Sequence, residues 1–305
     1  MTAGAAPARF RPMPLSELLD ELFKVYRKHF TVIAGVSLIL VLPGLLTNLL
    51  SGAYRANSVS LLVNLLAHGG NPAALQAFQQ GLPQVDVAWN TVGSLVTLVL
   101  VPFTLGAVYQ AASAAIGGEP VTIGRVLGAT AARYWPLWGL AVLFFLALVA
   151  FVIAWLLFAV ITGVFGVLVG WIVFIPLGFW VGVRLIISVP ALLVEKIGPV
   201  RAIRRSWELV RGSWWRSFGV LVVTLILELV LYLVFLALFQ ALAAIIPGVG
   251  DDLRSALSAI GTTLVSALIG PLAAIVVTLL YFDLRVRTEG YDLDQLAQQT
   301  GPANP

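Results

Sequence analysis

The sequence predicts an all-α protein. It reads as a polytopic membrane helix bundle of about six transmembrane helices in three hairpin-like units, each preceded by an amphipathic interfacial helix. Three observations predict this. Hydrophobic residues make up 60% of the chain and charged residues 10%, with a mean hydropathy of +1.00; soluble domains carry roughly 25% charged residues. The apolar residues gather into runs long enough to cross a ~30 Å hydrocarbon core, which takes about 20 helical residues. The basic residues crowd into alternate segments between those runs. The net charge of +4 and pI near 9.6 therefore report topology, and nucleic acid is not an expected partner. Cysteine is absent, which excludes disulfides, thiolate metal sites and cysteine nucleophiles.

The elements follow in order, as one integral membrane domain over residues 1–305. Residues 1–30 form an N-terminal segment with the first amphipathic helix, "PLSELLDELFKVYRKHF" (Pro14 to Phe30). There Leu15, Leu18, Leu19, Leu22, Phe23 and Tyr26 fall at helical spacing, and Glu17, Asp20, Glu21, Lys24 and Arg27 fill the other positions. The first span runs from Thr31 to Leu50, and residues 51–90 make an outer loop before the second span, Thr91 to Ile116. A second amphipathic segment, "PVTIGRVLGATAARYWPLW" (Pro120 to Trp138), leads into the third span, Leu137 to Val160. Glycine-rich "TGVFG" (Thr162 to Gly166) supplies a tight turn into the fourth, Gly166 to Val189. The third amphipathic segment, "GPVRAIRRSWELVRGSWWRSF" (Gly198 to Phe218), precedes the fifth span, Phe218 to Ile246; the sixth runs from Leu257 to Phe282, and residues 283–305 form a polar tail. "GVLVG" (Gly166 to Gly170) and "GFWVG" (Gly178 to Gly182) place small residues four apart and read as helix-packing surfaces.

Charge orients these spans. Of the 18 Lys and Arg, all but Arg55, Arg184 and Arg254 lie in segments that the alternation puts on one side. The positive-inside rule makes that side the cytoplasm, so both termini are expected inside the plasma (inner) membrane. Amphipathic helices with basic residues at such a boundary are expected to lie flat and meet anionic lipid headgroups, the expected partners.

Two groups of residues stand out as candidate sites. The first lies within the membrane. Glu228, about 15 Å along the fifth span, is expected near the middle of the core, where a carboxylate is costly and marks function. Thr224 and Tyr232 lie four residues to either side and give that span a polar stripe. Arg184 in the fourth span and Gln110 in the second stand at the same offset from Pro176 and Pro102, and Arg184 is expected to pair with Asp283. The second group is a cytoplasmic charge cluster. Asp283, Arg285 and Glu289 end the sixth span, and acids beside an anionic leaflet need another reason for being there. They are expected to pair with Arg201, Arg204, Arg205 or Arg211 of the third amphipathic segment.

Each even span carries a proline, Pro102, Pro176 and Pro271. Kinked helices suit either packing or a transport cavity. Catalytic patterns are missing: no GxSxG, HExxH or GxxxxGK[ST] string occurs. His29 and His68 have no metal-ligand spacing, so neither metal nor cofactor is expected. The string "GVGDD" (Gly248 to Asp252) reads as a turn and helix start.

Three blocks, "RPMPLSELLDELFKVYRKHF", "PALLVEKIGPVRAIRRSWELVRGSWWRSFGV" and "YFDLRVRTEGYDL", together resemble the glycerophosphoryl diester phosphodiesterase membrane domain family. In fused members of that family the multi-span region accompanies a soluble phosphodiesterase domain, and the resemblance covers the membrane region alone. It implies a membrane fold and carries over no activity. Three function classes stay open: a non-enzymatic module organising lipid or partner proteins at the cytoplasmic face, a transporter of a small or lipid-derived solute through a cavity between kinked helices, and a membrane accessory subunit of a separately encoded lipid-active enzyme.

Overall fold

The computed structural model describes residues 13–55, 85–245 and 250–289. Most of the outer loop, His68, the chain before Met13 and the tail beyond Glu289 lie outside the described residues. The helices are α1 (Leu15–Lys28), α2 (Phe30–Ser51), α3 (Val87–Gly117), α4 (Ile123–Ala131), α5 (Tyr134–Leu185), α6 (Ser188–Val194), α7 (Pro199–Val210), α8 (Trp214–Ile245), α9 (Asp251–Ile269) and α10 (Pro271–Glu289), with a 3-10 turn at Ala53–Arg55. Six helical stretches within them are long and apolar enough to cross a membrane, the make-up of a multi-pass membrane protein.

The expected turn between spans three and four is a break inside α5 at Gly163, whose φ of 66° and ψ of −152° suit glycine. Its two arms pack back on each other, with Phe151 against Phe174 and Trp155 against Trp171. Gly170 and Gly178 receive Trp155 and Phe151 from the opposite arm, whereas Gly182 meets nothing. The small-residue reading therefore holds for two of these positions.

The three amphipathic helices form where expected, as α1, α4 and α7, directly before α2, α5 and α8. Their apolar faces close onto protein. Leu18 and Leu22 of α1, Val126 of α4 and Ala202, Leu209 and Val210 of α7 are all buried. Pro199 takes the first turn of α7, where its missing N–H costs nothing.

The sixth span differs most from its sequence reading, because it is two helices. α9 has 19 residues, about 28 Å of helix and enough for one crossing. It runs antiparallel to α2: Arg55 meets Asp252 at 2.9 Å at one end, and the Tyr26 hydroxyl donates to the Leu268 carbonyl at 2.6 Å near the other. The chain then breaks at Gly270, and Pro271 opens α10. α10 is apolar nearly all round, the pattern of a core helix. Its residues are buried almost without interruption from Pro271 to Leu284, and α1, α3, α6, α7 and α8 surround it. Residues 283–289, assigned by sequence to a polar tail, continue this helix. Pro102 and Pro176 lie inside helices, but so does Pro43 of α2, so an intrahelical proline does not single out the even spans.

At the α8–α9 contact, Gly261 faces the Phe239 ring so closely that a Cβ would overlap it. Glycine there lets two helices approach where lipid offers no hydrophobic drive. Gly261→Ala should cost about 1 to 3 kcal/mol through overpacking, seen as a lower unfolding midpoint in detergent. An unchanged midpoint would mean that the ring swings away freely.

Candidate functional site

The end of the bundle that carries α1, α7 and α10 holds two clusters of charge. The first centres on Asp283, only 1% exposed. Its carboxylate accepts from the Arg216 guanidinium at 2.8 Å, from Arg287 at 3.0 Å and from the Met13 backbone N–H at 2.9 Å. Both guanidinium groups also donate to the Met13 carbonyl. The backbone of one residue at the entry to α1 is thereby clamped to the start of α8 and the end of α10. A buried carboxylate survives only when paired and hydrogen-bonded in this way.

The second cluster alternates sign. Glu195, just after α6, accepts from Arg205 at 2.7 Å and from the Tyr281 hydroxyl at 2.9 Å. Arg205 also pairs with Glu289, which accepts from Arg285 at 3.2 Å, and Arg285 reaches Tyr281 at 3.3 Å. Burial works against the Arg205 charge, but its hydrogen bonds to Glu289 and Glu195 outweigh that and hold the guanidinium above its ordinary pKa. α6, α7 and α10 are tied at one point.

The sequence expectation is thus met at Arg205 and Glu289, and Arg285 joins the same cluster. Asp283 takes Arg216 and Arg287 in place of the four arginines expected for it. Arg204 pairs with Glu208 of its own helix at 3.0 Å, and Arg201 and Arg211 are exposed. Arg184 does not reach Asp283. Its guanidinium lies 4.1 Å from the Trp180 ring centre and 4.5 Å from that of Trp207, two cation–π contacts with rings set perpendicular to each other that take the place of a counter-ion. Glu195, Arg216 and Met13 went unread because nothing local marks them; each matters only through long-range contact.

Glu228 has a partner that its sequence reading did not include. No residue of α8 from Arg216 to Thr224 is exposed, while Leu225, Ile226, Leu229 and Val230 open to the outside. Glu228 therefore lies about 5 Å past the point where α8 leaves the packed end, and at the midpoint of the apolar span Trp214–Ala241. One carboxylate oxygen accepts the Ala273 N–H at 2.7 Å. Ala273 is in the first turn of α10, where helix N–H groups have no partner of their own. The side chain thus caps the helix that begins after the break. Thr224 is buried and bonded to the Val220 carbonyl of its own helix, and Tyr232 packs against the main core. Neither Arg184 nor Gln110 bonds to Glu228 among the described residues.

A third feature escaped the sequence reading. A cavity of about 830 Å³ lies between α2, α3 and α5. Six uncharged polar side chains converge on it: Thr47, Asn48 and Ser51 from α2 and Asn90, Ser94 and Thr97 from α3. Their signal was present as small and polar residues at helical spacing, one face on each helix. The two helices come close there, since a Cβ on Gly93 would lie 2.7 Å from Thr47.

Among the described residues no three His, Asp or Glu side chains come together as metal ligands. His29 is half-buried at the α1–α2 junction, where burial and then Lys28 lower its pKa.

The family described as Domain of unknown function (DUF7847) matches residues 46–284. The match reaches from the end of α2 into α10 and so takes in Glu228, Asp283 and most of the cavity. It shows no link to the glycerophosphoryl diester phosphodiesterase membrane domain family that the three sequence blocks resemble. No curated protein and no solved structure matches the chain. With more than three quarters of its length covered, this chain belongs to the DUF7847 family.

Proposed function

We propose that this chain is a non-enzymatic multi-pass protein of the plasma membrane whose basic end faces the cytoplasm and gathers anionic lipid headgroups. One observation carries the reading. Asp283, Glu195 and Glu289 are engaged by Arg205, Arg216, Arg285 and Arg287, while Arg201 and Arg211 stay exposed. Arg211 lines a crevice of about 1320 Å³ with Trp180, Trp214 and Trp215, and its inner wall is the apolar stretch around Pro176. Basic and indole groups above an apolar wall suit a phospholipid at the interface.

Native mass spectrometry of the purified chain tests this. Phosphatidylglycerol should be retained in preference to phosphatidylcholine, and Arg201→Glu with Arg211→Glu should cut that preference about tenfold or more, at roughly 1 kcal/mol per basic residue. Equal retention of both lipids overturns the reading.

Orientation is tested separately. The chain has no cysteine, so single cysteines report without background. An impermeant thiol reagent on intact cells should label Thr162→Cys and Leu253→Cys and spare Ser16→Cys and Gly198→Cys. The reverse pattern would invert the topology.

A transport reading has one observation behind it, the cavity between α2, α3 and α5. Substrate-dependent flux in liposomes is its test.

A further inference from the structure

We infer that the cavity between α2, α3 and α5 is a binding site for an uncharged amphiphile whose head carries a free hydroxyl. This site is distinct from the basic crevice and does not rest on the lipid reading above.

The wall chemistry sets the class of ligand. Among the described residues no charged side chain lines the cavity, so none of them would offset the desolvation of an ionic head. Three of the hydroxyls present are already committed as donors. Thr47 donates to the Pro43 carbonyl at 3.0 Å, Ser51 to the Asn48 carbonyl at 3.1 Å and Ser94 to the Asn90 carbonyl at 2.9 Å. What such a hydroxyl has left to offer is lone pairs. The Asn48 side-chain oxygen is buried and has no hydrogen-bond partner among the described residues. A buried amide oxygen left so costs free energy, and a small turn of the Asn48 side chain would bring it to a donor in the cavity. The polar end therefore offers hydroxyl lone pairs beside the amide groups of Asn48 and Asn90, and a neutral hydroxyl, which both donates and accepts, can meet both.

The shape argues for an amphiphile over a free polyol. Opposite the polar stripe the wall is apolar, with Leu98 and Val101 of α3 and Val142 and Phe145 of α5. These four are exposed, Leu98 at 58% and Phe145 at 63%, so the cavity opens sideways between α3 and α5 at the apolar surface of the spans. A head seated against Asn48 would send its chain out through this mouth into the bilayer, and no apolar surface would face water.

The test uses the purified full chain and native mass spectrometry with three probes: dioleoylglycerol, dioleoylphosphatidylcholine and free glycerol. Dioleoylglycerol shares its chains with the phospholipid and differs in its free hydroxyl. One dioleoylglycerol should be retained with about fivefold to tenfold preference over the phospholipid, the size of one buried hydrogen bond. Asn48→Leu should remove the preference while the unfolding midpoint holds. Val142→Trp, which fills the mouth from an exposed position, should block the lipid altogether and decides the matter if Asn48→Leu does not fold. Equal retention of the two lipids would show a chain groove with no head recognition, and displacement by glycerol would show a soluble-solute site; either overturns the proposal, as does full retention by both variants.

Discussion

Asp283→Ala is expected to destabilise the protein by about 1 to 3 kcal/mol, because it removes the buried acceptor shared by two guanidinium groups and a backbone N–H. The wild-type carboxylate is enclosed, with 0% side-chain exposure, and meets Arg216 at 2.8 Å and Arg287 at 3.0 Å. Arg216 sits in the first turn of α8 and Arg287 in the last of α10, so the carboxylate ties the two helix ends together. The Met13 N–H loses its acceptor as well. The Arg204–Glu208 pair is the contrast. Its side chains are 82% and 53% exposed, and an exposed pair one helical turn apart contributes only about 0.3 to 0.5 kcal/mol. Arg204→Ala should therefore leave the unfolding midpoint nearly in place. Thermal or denaturant unfolding of both variants in the same detergent separates them, and similar small shifts would show that the buried cluster adds little net stability.

The sequence revealed what depends on composition and period. Six apolar runs, three amphipathic helices and the glycine turn at Gly163 are all found, because each follows from local spacing. Hydropathy could not separate α9 from α10. Both are apolar, and whether an apolar helix meets lipid or protein depends on what packs around it. That difference gave Glu228 a partner no local pattern announces, the first turn of α10. Partner choice among charges was equally hidden: Arg205 and Arg211 look alike in sequence, but one is ringed by Glu195 and Glu289 and the other is exposed. The polar cavity was legible in part, since Thr47, Asn48 and Ser51 share one face of α2; that the matching face of α3 lies opposite is a matter of tertiary packing.

Glu228→Leu is expected to cost about 1 to 3 kcal/mol, the penalty of leaving a buried donor without a partner. The donor is the Ala273 N–H, which the carboxylate accepts at 2.7 Å. Pro271 brings no N–H of its own to the start of α10, so this contact across helices fills the place that a capping side chain takes elsewhere. Glu228→Gln keeps an acceptor oxygen in place at the helix start and should cost at most about 1 kcal/mol. A capping role thus predicts that Gln folds nearly as wild type while Leu is clearly less stable, with both complementing a deletion strain to the extent that they fold. A titrating role in transport or proton relay predicts something else, a Gln variant that folds normally and has no activity. The contact with Ala273 supports the first outcome. Stability and complementation must be measured on the same pair, because a Leu variant that fails alone is consistent with either role, and the Gln variant decides between them.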